Sequence, residues 1–140
     1  MQTESAFRTN AMSVADAVGL MQLIEPTGQS MAKRLGVKGT VNKRRLQDPE
    51  LNIRLGSHFL KRLSTRFSNH PALMAAAYNA GPGRPKRWNT RWPAAELDEY
   101  VEKIPFRETR RYVKSVVTAW MRYRWLYADA ESSISLTIPR

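Results

Sequence analysis

Pro71-Ala72-Leu73-Met74-Ala75-Ala76-Ala77-Tyr78-Asn79-Ala80-Gly81-Pro82-Gly83-Arg84 is the stretch whose reading decides the fold. Residues 72–78 are all apolar or weakly polar, so a helix there has no solvent face and belongs in the middle of a bundle. Pro71 suits the first turn, where its missing N–H costs nothing. Pro82 disfavours helical geometry at Gly81, which stops the helix at Asn79-Ala80-Gly81-Pro82. Gly81 and Gly83 then permit a tight corner. Tyr78 and Asn79 are delivered to that corner. They read either as a core tyrosine with a satisfied hydroxyl beside a helix stop or as a pair set there for chemistry.

The flanking sequence is helical on both sides. Asp48-Pro49-Glu50 is a helix start, with a capping carboxylate, a proline at the first position and acid in the first turn. Ile53, Gly56, Leu60, Leu63 and Phe67 follow at spacings of three and four, a predicted buried stripe. Ser68-Asn69-His70 turns the chain into the central helix. Residues 83–93 read as a short helix carrying Trp88 and Trp92, and residues 94–102 as an acidic one. Pro105 opens a last helix to about Tyr127, with Val113, Val116, Val117 and Trp120 inward. Earlier in the chain, residues 2–7 read as the tail of a helix whose beginning is absent, and residues 8–16 as a loop. Residues 19–24 are a short strand or extended turn, residues 26–35 a helix closed by Gly36, and residues 37–47 a basic loop. The fold class is mainly α, with one short extended or β segment at residues 19–24. Residues 129–140 are Ser-rich and unperiodic, a poorly ordered tail.

At 140 residues and 42% hydrophobic content the chain suits one domain with one core. Without cysteine there is no disulfide framework and no thiolate metal site. His58 and His70 show no ligand spacing, and no metal is expected. No glycine-rich phosphate loop and no G-x-S-x-G motif is present. The longest apolar run, residues 72–78, is too short to cross a bilayer. Met1-Gln2-Thr3-Glu4 lacks the charged start and apolar stretch of a signal peptide, so either the protein stays inside the cell or this chain has lost its leader. The net charge of +11, from 23 Lys and Arg against 12 carboxylates, favours a polyanionic partner: nucleic acid, anionic lipid or an acidic wall polymer. A solvated basic surface is the plainer alternative.

The remaining chemistry lies with carboxylates. Glycoside cleavage usually takes two, or one where the substrate's own N-acetyl group replaces the second. Asp48 and Glu50 cap a helix, and Glu96, Asp98, Glu99 and Glu102 form a solvated acidic face. Glu4 and Glu108 sit near small or apolar residues and stand as candidates, against the reading of each as a helix-surface carboxylate.

Four blocks carry a resemblance: Glu4-Ser5-Ala6-Phe7; Gly19-Leu20-Met21-Gln22-Leu23; Ala76-Ala77-Tyr78-Asn79-Ala80-Gly81-Pro82-Gly83-Arg84; and Ile104-Pro105-Phe106-Arg107-Glu108-Thr109-Arg110-Arg111-Tyr112-Val113. In this order and at these separations they resemble the soluble lytic transglycosylase catalytic domain, with Asp48-Pro49, Asn52-Ile53 and Gly56 resembling its linking helix. The resemblance covers about residues 2–127 and implies a goose-lysozyme-like α-domain over residues 1–128. It implies cleavage of the β-1,4 bond between N-acetylmuramic acid and N-acetylglucosamine with formation of a 1,6-anhydro sugar, without a cofactor. By the same resemblance Glu4 is the single catalytic acid and base, and Ser13, Gln22, Tyr78, Asn79 and Glu108 contact the glycan. The implied partner is the peptidoglycan strand and not nucleic acid, and the implied location is the bacterial envelope, on the periplasmic side. Departures from the family pattern are Thr3 for a glutamine, Ile24-Glu25 for Met-Pro (with proline one later at Pro26), and Pro85 for a valine. A hydrolytic muramidase on the same fold and a wall-binding module that no longer cuts are the alternatives.

Overall fold

Capping residues and prolines set most helix starts in the computed structural model, which describes residues 1–93, 95–127 and 137–139. The elements are α1 (Gln2–Ser5), α2 (Glu25–Arg34), α3 (Lys43–Leu46), α4 (Pro49–Arg66), α5 (Pro71–Ala80), α6 (Gly83–Arg91), α7 (Leu97–Lys103) and α8 (Arg107–Tyr127). The chain divides into two compact units, Met1–Arg62 and Leu63–Arg140. Among the described residues no helix is long and apolar enough to cross a membrane.

In the first unit the core holds Val18, Leu20, Met21, Leu23, Met31, Ala32, Val41, Leu46 and Leu55. The expected extended segment is a tight turn. Val18 and Leu23 exchange backbone hydrogen bonds of 3.0 Å each way, and residues 19–22 turn between them. Val18 also bridges Met12, so the extended character is limited to isolated pairs. Gly19 lies at φ 80° and Gln22 at φ 46°. The buried side chain of Asn52 braces this turn from α4. Its Oδ1 accepts the Met21 N–H at 2.8 Å, and its Nδ2 donates to the carbonyls of Val18 (2.9 Å) and Leu46 (2.8 Å). A Cβ at Gly19 would stand 2.5 Å from Asn52 Nδ2, so glycine is required both by its φ and by this approach.

Residues 43–46 form α3 within the expected basic loop, because Asn42 caps it by accepting the Arg45 N–H at 3.0 Å. At the head of α4 Asp48 accepts the Leu51 N–H at 2.7 Å. Asp48→Ala is expected to lower stability by about 1 kcal/mol, read from urea denaturation. The buried face of α4 differs from the expected stripe. Gly56, Leu63 and Phe67 are buried, but Ile53 is 37% exposed and Leu60 only half-buried, while Asn52 and Leu55 are fully inside. The face is turned because a polar side chain, Asn52, takes an inward position that an apolar count skips.

In the second unit α5 packs against α6 and α8. Ala72, Leu73, Ala75, Ala76 and Ala77 are buried, as a helix without a charged face requires. Pro85 sits buried in the first turn of α6, where its absent N–H has no intrahelical partner to lose. Val113 is fully buried on α8, and Val116, Val117 and Trp120 are half-buried. Tyr100 of α7 is buried with Trp92 edge-on at 6.3 Å, and its unpartnered hydroxyl is pushed above the ordinary tyrosine range by desolvation. The expected poorly ordered tail, residues 129–140, lies outside the described residues except for residues 137–139. There Ile138 is buried and donates its N–H to Ala95 O at 3.0 Å, and Pro139 O accepts from Asn89 Nδ2 at 2.6 Å. These three residues are anchored, because an apolar isoleucine gains from burial that a Ser-rich composition conceals.

Candidate active site

Glu4 sits half-buried on α1, a helix of a single turn. So short a helix is not stable by itself, and tertiary pins hold it. Ser5, 3% exposed, donates its hydroxyl to Leu20 O at 2.9 Å. Ala6 and Phe7 then both take positive φ, 49° and 62°, and turn the chain sharply away. Two successive non-glycine residues in this region are strained by about 1–2 kcal/mol each, the kind of strain that gathers where a side chain must be aimed. The same turn that receives Ser5 contributes buried Leu20 and Met21, and Met21 packs so close to α4 that a Cβ at Gly56 would stand 2.5 Å from its sulfur.

Gln22 and Ser13 are built into the loop around that turn. Gln22 Nε2 donates to Gly19 O (2.9 Å) and Ala11 O (3.1 Å), leaving its Oε1 as the group to accept from a ligand hydroxyl. Ser13 Oγ accepts the N–H groups of Ala15 (3.2 Å) and Ala17 (3.1 Å), so its own O–H remains to donate. The first unit therefore joins Glu4, Ser13 and Gln22 through one hydrogen-bonded loop.

In the second unit Tyr78 is half-buried in the last turn of α5 and Asn79 beside it is exposed. Asn79 Oδ1 accepts the hydroxyl of buried Thr109, in the first turn of α8, at 2.6 Å. That bond leaves the Asn79 amide hydrogens to donate and ties the end of α5 to the start of α8. Glu108, next to Thr109, is exposed. A cavity of about 570 Å³ lined by Glu96, Leu97, Asp98, Val101, Glu102 and Lys114 contains none of these candidates. Glu102 there is held below the ordinary carboxylate range by its hydrogen bond and charge pairing with Lys114, with a smaller share from Arg110. Among the described residues no three of His, Cys, Asp and Glu form a metal-ligating group.

The positioning residues Ser5, Asn52 and Thr109 were not among the expected site residues. Asn52 left two signals, a polar residue on an apolar stripe and a place in the resembling linking helix. Ser5 and Thr109 stand in the resembling blocks, each beside a candidate acid, with nothing there to mark them as supports.

The family description "Transglycosylase SLT domain" matches residues 1–101. The soluble lytic murein transglycosylase of Escherichia coli is 38% identical over 136 residues, covering 96% of this chain and 21% of the relative. A solved complex of the 70-kDa soluble lytic transglycosylase with bulgecin A superposes with TM-score 0.88 at 34% identity, over 99% of this chain and 23% of that one. An inactive glutamate-to-glutamine mutant of lytic transglycosylase Slt from Pseudomonas aeruginosa gives TM-score 0.80 at 37% identity, over 91% and 21%. The chain thus spans about a fifth of the length of the curated relative.

Proposed function

We propose, from the premise that the chain belongs to the transglycosylase SLT domain family, that it is a peptidoglycan lytic transglycosylase using the single carboxyl group of Glu4. The observation that carries the reading is how the fold holds Glu4. A one-turn helix is pinned by Ser5 to the apolar turn of Leu20 and Met21, and is followed by two strained residues. The description of a glutamate-to-glutamine relative as inactive supports a single essential glutamate.

The chemistry asks Glu4 to begin protonated, so that it has a proton to give. Glu4 gives its proton to the glycosidic oxygen as the C1–O bond of N-acetylmuramic acid breaks. The acetamido oxygen of that sugar bonds to C1, taking the place of a second protein carboxylate. The Glu4 carboxylate then removes the 6-hydroxyl proton as O6 attacks C1 and displaces the acetamido oxygen. The product is a 1,6-anhydro end, the acid is regenerated, and no water is consumed. Holding the 6-hydroxyl against C1 is what lets the internal reaction outrun hydrolysis. Tyr78 orients the acetamido group. Ser13 donates to, and Gln22 accepts from, neighbouring sugar hydroxyls, and Asn79 and Glu108 contact the strand. The net positive charge suits a wall polymer bearing carboxylates, and the site of action is the bacterial envelope, on the periplasmic side.

Digestion of purified sacculi in ¹⁸O-labelled water tests the reading. Products free of label are expected. Labelled reducing ends would make the protein a hydrolytic muramidase, and sacculus binding without any release would make it a wall-binding module. Thr109→Val removes the donor that fixes Asn79 and is expected to reduce stability by about 1 kcal/mol. It should raise KM for glycan several-fold with kcat nearly kept, read from initial rates at varied substrate.

A further inference from the structure

We propose that Arg84, stacked on Phe106, is a carboxylate-binding shelf that recognises the peptide stems of the glycan strand; this rests on the peptidoglycan reading above and names a further part of the substrate. The guanidinium carbon of Arg84 lies 4.4 Å from the centroid of the Phe106 ring. That ring in turn meets Trp88 at 5.9 Å and 46°. Trp88 is 8% exposed, Phe106 is 41% exposed and Arg84 is exposed, so a buried indole, a half-covered ring and an outer guanidinium form three layers.

The backbone fixes both outer members. Arg84 donates its N–H to Gly81 O at 3.2 Å within the corner after α5. Phe106 O accepts the Arg110 N–H at 2.9 Å, which puts the ring at the entry to α8. Thr109, three residues on and therefore on the same side of the first turn, holds Asn79. The shelf thus adjoins the residues that this unit offers to the sugar strand.

A guanidinium held over a ring keeps N–H donors that the ring does not use, and a carboxylate can be met there by two parallel hydrogen bonds. Among the described residues Arg84 has no carboxylate partner, whereas Lys43, Lys103, Arg110 and Lys114 are each ion-paired. Its donors are therefore not spent on a carboxylate of the chain. Stem peptides supply free carboxylates beyond the muramic acid ring, whereas a strand stripped of peptide carries only the lactyl carboxylate on the ring itself.

The test uses the Glu4→Gln protein, so that ligands are bound and not cut. Calorimetry compares N-acetylglucosaminyl-N-acetylmuramyl tetrapeptide with a bare disaccharide whose lactyl carboxyl is capped as the methylamide. Adding Arg84→Gln is expected to weaken the peptide-bearing ligand about tenfold and leave the bare disaccharide unchanged, the loss of one charge-assisted contact. Arg84→Lys keeps the charge without the fork and should fall between, and Phe106→Leu should give part of the loss by freeing the guanidinium. An equal loss on both ligands, or none, overturns the shelf and leaves Arg84 as a cover for Phe106. Digestion of sacculi by the unsubstituted protein runs in parallel. Anhydro products without ligand discrimination at Arg84 remove the shelf alone. Discrimination without any products removes the catalytic reading and leaves the shelf standing.

Discussion

Glu4→Gln is expected to lower the release of soluble fragments from sacculi by about 10²–10⁴-fold or more, since the same group is asked to act first as acid and then as base. Glutamine keeps the shape and the hydrogen-bonding reach of the side chain but has no proton to give to a leaving oxygen. Binding of glycan should stay nearly unchanged, because Ser13, Gln22, Tyr78, Asn79 and Glu108 are untouched. The fold should also be kept, since glutamine has the shape of glutamate and the Ser5 hydroxyl still pins α1. Sedimentation with sacculi, circular dichroism and release of fragments check the three parts separately. A variant that still releases fragments within a fewfold of the original rate would assign the proton to another group, with Glu108 the first to examine. Ser5→Ala should weaken the same activity less, by letting α1 shift on Leu20.

Asn52→Leu is the substitution expected to disturb stability most. Asn52 is fully buried and makes three hydrogen bonds, one from Met21 N–H and two to the carbonyls of Val18 and Leu46. Leucine satisfies none of them. Each buried partner left unpaired costs about 1–3 kcal/mol, so a loss of about 3–5 kcal/mol follows, a large part of the 5–15 kcal/mol that usually separates folded from unfolded chains. Because the orphaned groups belong to the turn that receives Ser5, activity per folded molecule should fall as well. Urea denaturation and activity measured at the same protein concentration separate the two effects. A loss below about 1 kcal/mol would show that the turn is held by its apolar packing and that the bonds to Asn52 are incidental.

These two residues also mark what could be read in the sequence and what could not. The central helix was legible because residues 72–78 admit one solution, a buried helix between Pro71 and Gly81-Pro82. The start of α4 was legible because Asp48, Pro49 and Glu50 act locally. The turn at residues 19–22 was not, since its partner Asn52 lies 31 residues after Met21 and no local pattern announces a bond of that length. The same blindness misplaced Ile53 on the buried face of α4. It also hid α3, whose cap is a single asparagine, and the anchoring of Ile138 to Ala95. Glu4 and Glu108 stood out only as acids without an evident surface duty, and motif resemblance named Glu4. What no motif conveys is how each candidate is held: Ser5 for Glu4, Thr109 for Asn79, and the loop carbonyls of Ala11 and Gly19 for Gln22.

Mass analysis of the sugar ends released from purified sacculi bears most directly on the central claim, that one carboxyl group transfers the glycosidic bond to the sugar's own 6-hydroxyl. The expected fragments end in 1,6-anhydro-N-acetylmuramic acid, each one water lighter than its reducing counterpart and resistant to borohydride reduction, and they should be absent from the Glu4→Gln digest. Fragments that carry reducing ends, or anhydro fragments that persist undiminished in Glu4→Gln, would contradict it.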